Sequence, residues 1–206
     1  MGEPQTACIV VAQRGLGQDR AAVESHAGTT TLVLADGAGG RVGGLRAAEL
    51  SVTTGLQRMR DADGTTPSTV IRELDQLLLA DETAGEATFV LAQVVGQELR
   101  GASVGDSGAW LISDATYRDL THDQTRKPML GSGDAGVSPF ATPIVSETLL
   151  IASDGLLKYS SPQTICQIVR SARSLDAAGT QLIDSVRLRS GALQDDTSLI
   201  LLRRPT

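Results

Sequence analysis

Aspartate residues lie at the ends of several predicted β-strands, where carboxylates can bind cations or transfer protons. Asp36 follows the apolar run Leu-Val-Leu-Ala, Asp106 follows Gly-Ala-Ser-Val-Gly, and Asp154 follows Leu-Leu-Ile-Ala-Ser. Asp195 and Asp196 directly precede the apolar stretch that closes the chain. We expect these acidic side chains to converge on one edge of a sheet.

The alternative for each acid is an ordinary turn, because Asp and Gly both favour turn conformations. The pair Asp195-Asp196 is equally compatible with a cap or a solvated corner. Four such features in matching context favour a shared site. Clustered carboxylates repel one another and need counter-charge. With only two His and two Cys residues in the chain, a zinc site is disfavoured, and oxygen ligands indicate Mg²⁺ or Mn²⁺.

The elements that must position these acids follow from hydrophobic periodicity. Apolar runs predict strands over residues 7–12, 30–35, 88–95, 99–104, 109–113, 149–152 and 198–202. Three- and four-residue spacing predicts helices over residues 45–59, 68–78, 162–172 and 177–188, with Ser68 as the cap of the second. Residues 121–143 are rich in Gly and Pro and are predicted to form a loop. Consecutive strands with two pairs of helices indicate an α+β fold with an antiparallel core.

Composition limits the classes of function. The chain has 206 residues, of which 41% are hydrophobic and 20% charged, so it can bury a core as a single domain. Aromatic residues make up 2% and the formal net charge is −6. This composition disfavours nucleic-acid binding and attraction to anionic lipid. No stretch is long and apolar enough to span a bilayer, and the expectation is a cytoplasmic protein.

The order of motifs resembles that of the metal-dependent protein phosphatases of the PP2C (PPM) family. The matching motifs are Arg14-x-x-x-Gln18-Asp19, Asp36-Gly37-x-Gly39-Gly40, Gly105-Asp106-Ser107, Ser153-Asp154-Gly155 and Asp195-Asp196-x-Ser198. Each motif is weak alone, but five in order over most of the chain are specific. The resemblance implies one phosphatase domain over residues 1–206, folded as a four-layer αββα sandwich.

The resemblance also implies roles for individual residues. Asp36 would bridge two Mn²⁺ or Mg²⁺ ions, and Gly37 would contribute its carbonyl oxygen. Asp154 and Asp195 would ligate one of these ions, and Asp106 would contribute to a third, weaker site. Arg14 would bind the substrate phosphate, with Gln18, Asp19 and Asp196 in support. The implied reaction is attack of a metal-bridged hydroxide on phosphoserine or phosphothreonine, with no covalent intermediate.

Three departures from the family pattern bear on activity. Gln18 stands where an acid is frequent, which removes one charge from the expected site. Ala38 stands where some members carry a histidine proposed as general acid, and His122 is a weak substitute for it. The 122–145 segment is short, so the flap subdomain is expected to be reduced and the site open and shallow.

These departures leave an alternative from another class. The leading interpretation is an active phosphatase that acts on phosphoproteins, opposing a Ser/Thr kinase. The alternative is a catalytically weak or inactive PP2C-like domain that binds or regulates. A structural acidic domain unrelated to phosphate leaves the order of motifs unexplained.

Overall fold

The computed structural model describes residues 3–38, 43–61 and 64–205. Strands are numbered in chain order, and both sheets are antiparallel. One sheet contains, in spatial order, β1 (Gln5–Val11), β10 (Thr197–Arg203), β9 (Thr148–Ala152), β6 (Gly108–Ile112) and β7 (Tyr117–Asp119). The other contains β2 (Asp19–His26), β3 (Thr29–Gly37), β4 (Ala87–Val95), β5 (Glu98–Val104) and β8 (Ser138–Pro143).

The helices lie on the outer faces of the two sheets. Their bounds are α1 (Gly44–Asp61), α2 (Pro67–Ala80), α3 (Asp154–Leu157), α4 (Pro162–Ser171) and α5 (Leu175–Ser185). Helices α1 and α2 pack on the β2-containing sheet, and α4 and α5 pack on the β1-containing sheet. In the part of the chain that the structure describes, none of them combines the length and apolar character needed to cross a bilayer.

Three apolar layers hold the sandwich together. Along β3, Leu32 and Leu34 face the other sheet, whereas Val33 and Ala35 face α1 and α2. Because successive side chains of a strand point to opposite faces, a strand covered on both sides must be apolar throughout. This explains the continuous apolar runs in the sequence, and it confirms the predicted α+β, four-layer αββα architecture.

Most predicted elements are present within one to three residues of their expected bounds. The predicted cap Ser68 is wrong. Helix α2 is capped instead by Thr66, whose side chain accepts a hydrogen bond from Thr69 N at 3.2 Å. Pro67 occupies the first helical turn, where its missing N–H costs nothing. The Gly96-Gln97 connection between β4 and β5 is confirmed, with Gly96 at φ 56°.

Strands are present at three places where none was predicted. Strand β8 lies inside the predicted 121–143 loop and pairs with β5 at the edge of its sheet. Its two prolines, Pro139 and Pro143, are tolerated because an edge strand needs backbone donors on one side only. Strands β2 and β7 are also edge strands and were not predicted. Gly39 and Gly40 of the Asp36 motif lie outside the described residues.

Candidate functional site

Asp36 lies near the end of β3, an inner strand with a neighbouring strand on each side. The register pairs it with Asp19 of β2 and with Thr88 of β4. Gly37 N donates to Gln18 O at 3.2 Å, which continues the pairing of β2 with β3 past the two aspartates. A Cβ at Gly37 would lie 2.4 Å from Gly44 O, so only glycine allows α1 to start this close to Asp36.

Asp154 and Asp195 are brought together by hydrogen bonds between the end of β9 and the start of β10. Ser153 N donates to Ser198 O, and Ser198 N donates to Ser153 Oγ, both at 3.0 Å. A Cβ at Gly155 would lie 1.9 Å from Asp196 O, so the glycine of the Ser-Asp-Gly motif is required by this close approach. Asp154 begins α3 at this point, directly beside the Asp195-Asp196 turn.

Asp106 is held near Asp36 by a hydrogen bond of the next residue in the sequence, Ser107. It follows β5, and the buried hydroxyl of Ser107 lies 2.6 Å from Thr88 Oγ1, which makes a hydrogen bond between them. Thr88 is itself the β4 partner of Asp36. Strand pairing and one buried hydroxyl pair therefore connect Asp106 to Asp36.

One cavity of about 510 Å³ brings most of the predicted residues together. Its lining includes the five predicted metal-binding residues and two of the supporting residues: Asp36, Gly37, Asp106, Asp154, Asp195, Gln18 and Asp196. Arg14 and Asp19 are not among the lining residues. Asp19 is buried at 1% exposure behind Asp36, and Arg14 is exposed on the loop between β1 and β2.

The acidic side chains in and behind this cavity disfavour one another's ionisation. Burial raises the pKa of Asp36 to about 10, and the charges of Asp19, Asp154 and Asp195 add to the increase. Burial also raises the pKa of Asp19 to about 6. The pKa of Asp154 is raised by burial and then by the charges of Asp106 and Asp195. The buried carboxyls of Asp36 and Asp19 thus have less positive charge near them, among the described residues, than two ionised carboxylates need.

Asp19 shows this deficit most clearly. Among the described residues, neither of its carboxylate oxygens has a partner with hydrogen-bond geometry, although the Ser198, Ser153 and Asp36 side chains are near enough to moderate the increase in its pKa. A buried carboxylate without partners is costly, and buried charges are normally paired or bound to metals. Asp19 was expected only in a supporting role, and its position behind Asp36 depends on strand β2, which was not predicted.

The donor set fits hard divalent cations such as Mn²⁺ or Mg²⁺, because it consists of carboxylate and carbonyl oxygens. Within residues 3–38, 43–61 and 64–205, no group of three or more His, Cys, Asp or Glu side chains is arranged closely enough to hold a metal ion as it stands. The carboxylates therefore line one cavity without converging on a single point.

Asp196 fixes the loop that carries Arg14. Its Oδ1 accepts from Gln13 N at 2.6 Å, and its Oδ2 accepts from Gln18 N at 2.5 Å. These two donors flank the loop on either side. The Asp196 carboxylate therefore joins the Arg14 loop to the rim of the acidic cavity.

Sequence reasoning missed three cations that line the cavity: Arg126, Lys127 and Lys158. Arg126 Nε lies 2.7 Å from Asp106 Oδ2. The available signals were the basic pair in the 121–143 loop and a lysine four residues after Asp154. His122 does not line this cavity; its ring contacts Asp119 O at 3.1 Å and Asp123 Oδ2 at 3.0 Å.

Comparison with known proteins places the chain in a family. The family model described as Stage II sporulation protein E (SpoIIE) matches residues 26–205. The chain is 27% identical to a putative protein phosphatase 2C-type of Streptococcus pyogenes, with 82% of this chain and 84% of that protein covered. It is 25% identical to the serine/threonine phosphatase stp of Listeria monocytogenes, with 84% of each covered.

A solved structure supports the fold independently. The serine/threonine phosphatase Stp1 from Staphylococcus aureus superposes with a TM-score of 0.83 at 18% identity, covering 100% of this chain and 96% of that one. The family match begins after Arg14, Gln18 and Asp19 and includes all four strand-end acidic positions. The motif order, the four-layer sandwich and this match over most of the chain show that it belongs to the SpoIIE family of PP2C-type phosphatases.

Proposed function

We propose that this chain is a metal-dependent phosphatase that removes phosphate from phosphoserine and phosphothreonine on proteins, and so opposes a Ser/Thr kinase. The observation that carries the proposal is the cavity that Asp36, Asp106, Asp154 and Asp195 line together, with the buried carboxylate of Asp19 behind it. The relatives named as a serine/threonine phosphatase and as a putative protein phosphatase 2C-type support the same activity. A single domain over residues 1–206 is part of the proposal.

The chain's own residues would hold the ions and the substrate. Asp36, Asp154, Asp195 and the Gly37 carbonyl would bind two Mn²⁺ or Mg²⁺ ions, and buried Asp19 would support Asp36. When bound, such ions lower the pKa of water to near neutrality and neutralise charge on phosphoryl oxygens. Arg14 would bind the phosphate through two parallel hydrogen bonds. Ala38 offers no proton, so solvent would protonate the leaving oxygen.

Phosphate release from phosphoserine and phosphothreonine peptides tests this activity. The protein is stripped with EDTA and assayed with and without added Mn²⁺ or Mg²⁺. We expect turnover only with the metal, because the carboxylates cannot polarise a phosphoryl group without it. Release at the same rate in EDTA would contradict the metal-dependent mechanism.

The phosphate-release assay, combined with a binding measurement, distinguishes the phosphatase from the regulatory alternative. A domain in which Gln18 and Ala38 have removed catalysis would bind Mn²⁺ and a phosphopeptide in titration calorimetry but release no phosphate. That result would replace the phosphatase by a binding domain. A protein that binds no Mn²⁺ at all would overturn the metal site itself.

Arg14→Ala is expected to raise KM for a phosphopeptide by roughly 10- to 100-fold and to change kcat less. Hydrogen bonds to charged groups contribute about 1.5–3 kcal/mol, which corresponds to this range. Steady-state kinetics with saturating Mn²⁺ measure the effect. Arg189→Ala, which removes an exposed arginine after α5, is the control. An unchanged KM in Arg14→Ala would remove this residue from the site.

Asp196→Asn should also raise KM, through release of the Arg14 loop. An amide has one acceptor oxygen, so it cannot accept from both Gln13 N and Gln18 N as the carboxylate does. In the Arg14→Ala background, Asp196→Asn should then have little further effect on KM. Fully additive effects of the two changes would show that Asp196 acts independently of Arg14.

A further inference from the structure

Arg126 contacts the one acidic residue of the cavity that the resemblance assigns to a third, weaker metal. Its Nε lies 2.7 Å from Asp106 Oδ2, so the two side chains form an ion pair. The Asp106 side chain is 30% exposed and that of Arg126 is 74% exposed. The guanidinium thus covers Asp106 from the solvent side of the cavity.

The backbone around Arg126 is held on both sides of this contact. Upstream, Gln124 Nε2 donates to Ser107 O at 2.7 Å, next to Asp106 itself. Downstream, Leu130 and Ala87 exchange two backbone hydrogen bonds of 3.0 Å. These contacts bring residues 124–130 alongside the cavity wall, so Arg126 reaches Asp106 from an anchored segment.

A buried carboxylate on α2 completes the anchoring. Asp75 is 3% exposed, and its Oδ1 accepts from Gly131 N at 2.8 Å and Gly133 N at 3.1 Å. Its Oδ2 accepts from Ala135 N at 3.1 Å. Three backbone donors on one buried acid fix the end of the segment that presents Arg126.

We propose that Arg126 takes the place of a third divalent cation at Asp106, so that the chain binds two metal ions where Asp106 would otherwise recruit another. The inference rests on the metal site of the proposed function. The guanidinium charge beside Asp106 neutralises part of the negative charge of its carboxylate, as a bound cation would. It also repels a divalent cation that approaches Asp106.

Titration calorimetry of the EDTA-stripped protein with Mn²⁺ tests this directly. We expect two binding events in the wild type. In Arg126→Met, a third, weaker event should appear, with affinity at Asp106 increased roughly tenfold over any residual binding in the wild type. A change of this size is expected because the substitution removes both the exposed ion pair of Asp106 and a positive charge that repels the cation. The variant keeps the aliphatic stem, and an exposed side chain is replaced, so folding is retained.

Two further variants make the result specific. Lys127→Met removes a charge from the adjacent residue of the same cavity, which has no ion pair with Asp106, and should keep two events. Adding Asp106→Asn to Arg126→Met should abolish the third event. The proposal is overturned if Arg126→Met binds Mn²⁺ as the wild type does, if Lys127→Met gains the same event, or if the event survives Asp106→Asn. No Mn²⁺ binding in the wild type would instead refute the metal site of the proposed function.

Discussion

Asp154→Asn is expected to lower kcat for a phosphoserine peptide with Mn²⁺ by ~100-fold or more. Asp154 lies at the start of α3 and shares the cavity with Asp36, Asp106 and Asp195. Asparagine has nearly the same shape but lacks the charge that balances a divalent cation. Metal ions stabilise transition-state charge by several kcal/mol, and each ~1.4 kcal/mol is a factor of ten in rate.

The measurement combines steady-state kinetics with Mn²⁺ titration. The affinity for Mn²⁺ should fall together with kcat, while the melting temperature in EDTA should stay the same or rise because a repulsive charge is lost. Asp114→Asn, which makes the same substitution in the exposed turn between β6 and β7, should match the wild type in all three quantities. Equal kcat values for Asp154→Asn and wild type would refute the phosphatase mechanism.

The strand-end acids could be predicted from sequence because their signals are local. An apolar strand followed by Asp and Gly identifies its own end, and Asp36 and Asp154 do lie at strand ends that line one cavity. The expected single sheet edge was wrong, because the two residues follow strands of different sheets. The fold followed from the same signals, since strands apolar on both faces need a layer on each side. The motif order then added a family whose architecture the structure confirms.

What the sequence could not predict depends on partners far along the chain. Strand β2 has residues of intermediate burial and no continuous apolar run, so its pairing with β3 had no periodic signal. The position of Asp19 behind Asp36 went unrecognised for that reason. Arg126 lies in a Gly- and Pro-rich segment, and its contact with Asp106 results from anchors on α2 and β4 that periodicity does not reveal.

The acidic centre should also make the metal-free protein less stable as pH rises from 5 to 8. Burial and neighbouring carboxylates raise the pKa of Asp36 to about 10 and that of Asp19 to about 6. The unfolded chain releases these protons near pH ~4. The folded state therefore binds more protons between pH 4 and the folded pKa values, so stability is highest below pH ~4 for these groups and falls as pH increases. Asp19 contributes up to pH ~6, and Asp36 contributes over the whole interval.

Thermal unfolding in EDTA at pH 5 and pH 8 measures this effect. We expect a decrease in Tm of roughly 10 °C or more, since a loss of several kcal/mol shifts a domain of this size by about 2–4 °C per kcal/mol. Mn²⁺ should restore the Tm at pH 8, because a cation supplies the charge that the buried carboxylates lack. Asp36→Asn should remove most of the pH dependence, while Asp114→Asn should keep it. A Tm in EDTA that is constant between pH 5 and pH 8, or that falls equally in Asp36→Asn, would show that the carboxylates are neutralised by the protein itself. The cluster of buried carboxylates could then no longer be explained as a metal-binding site.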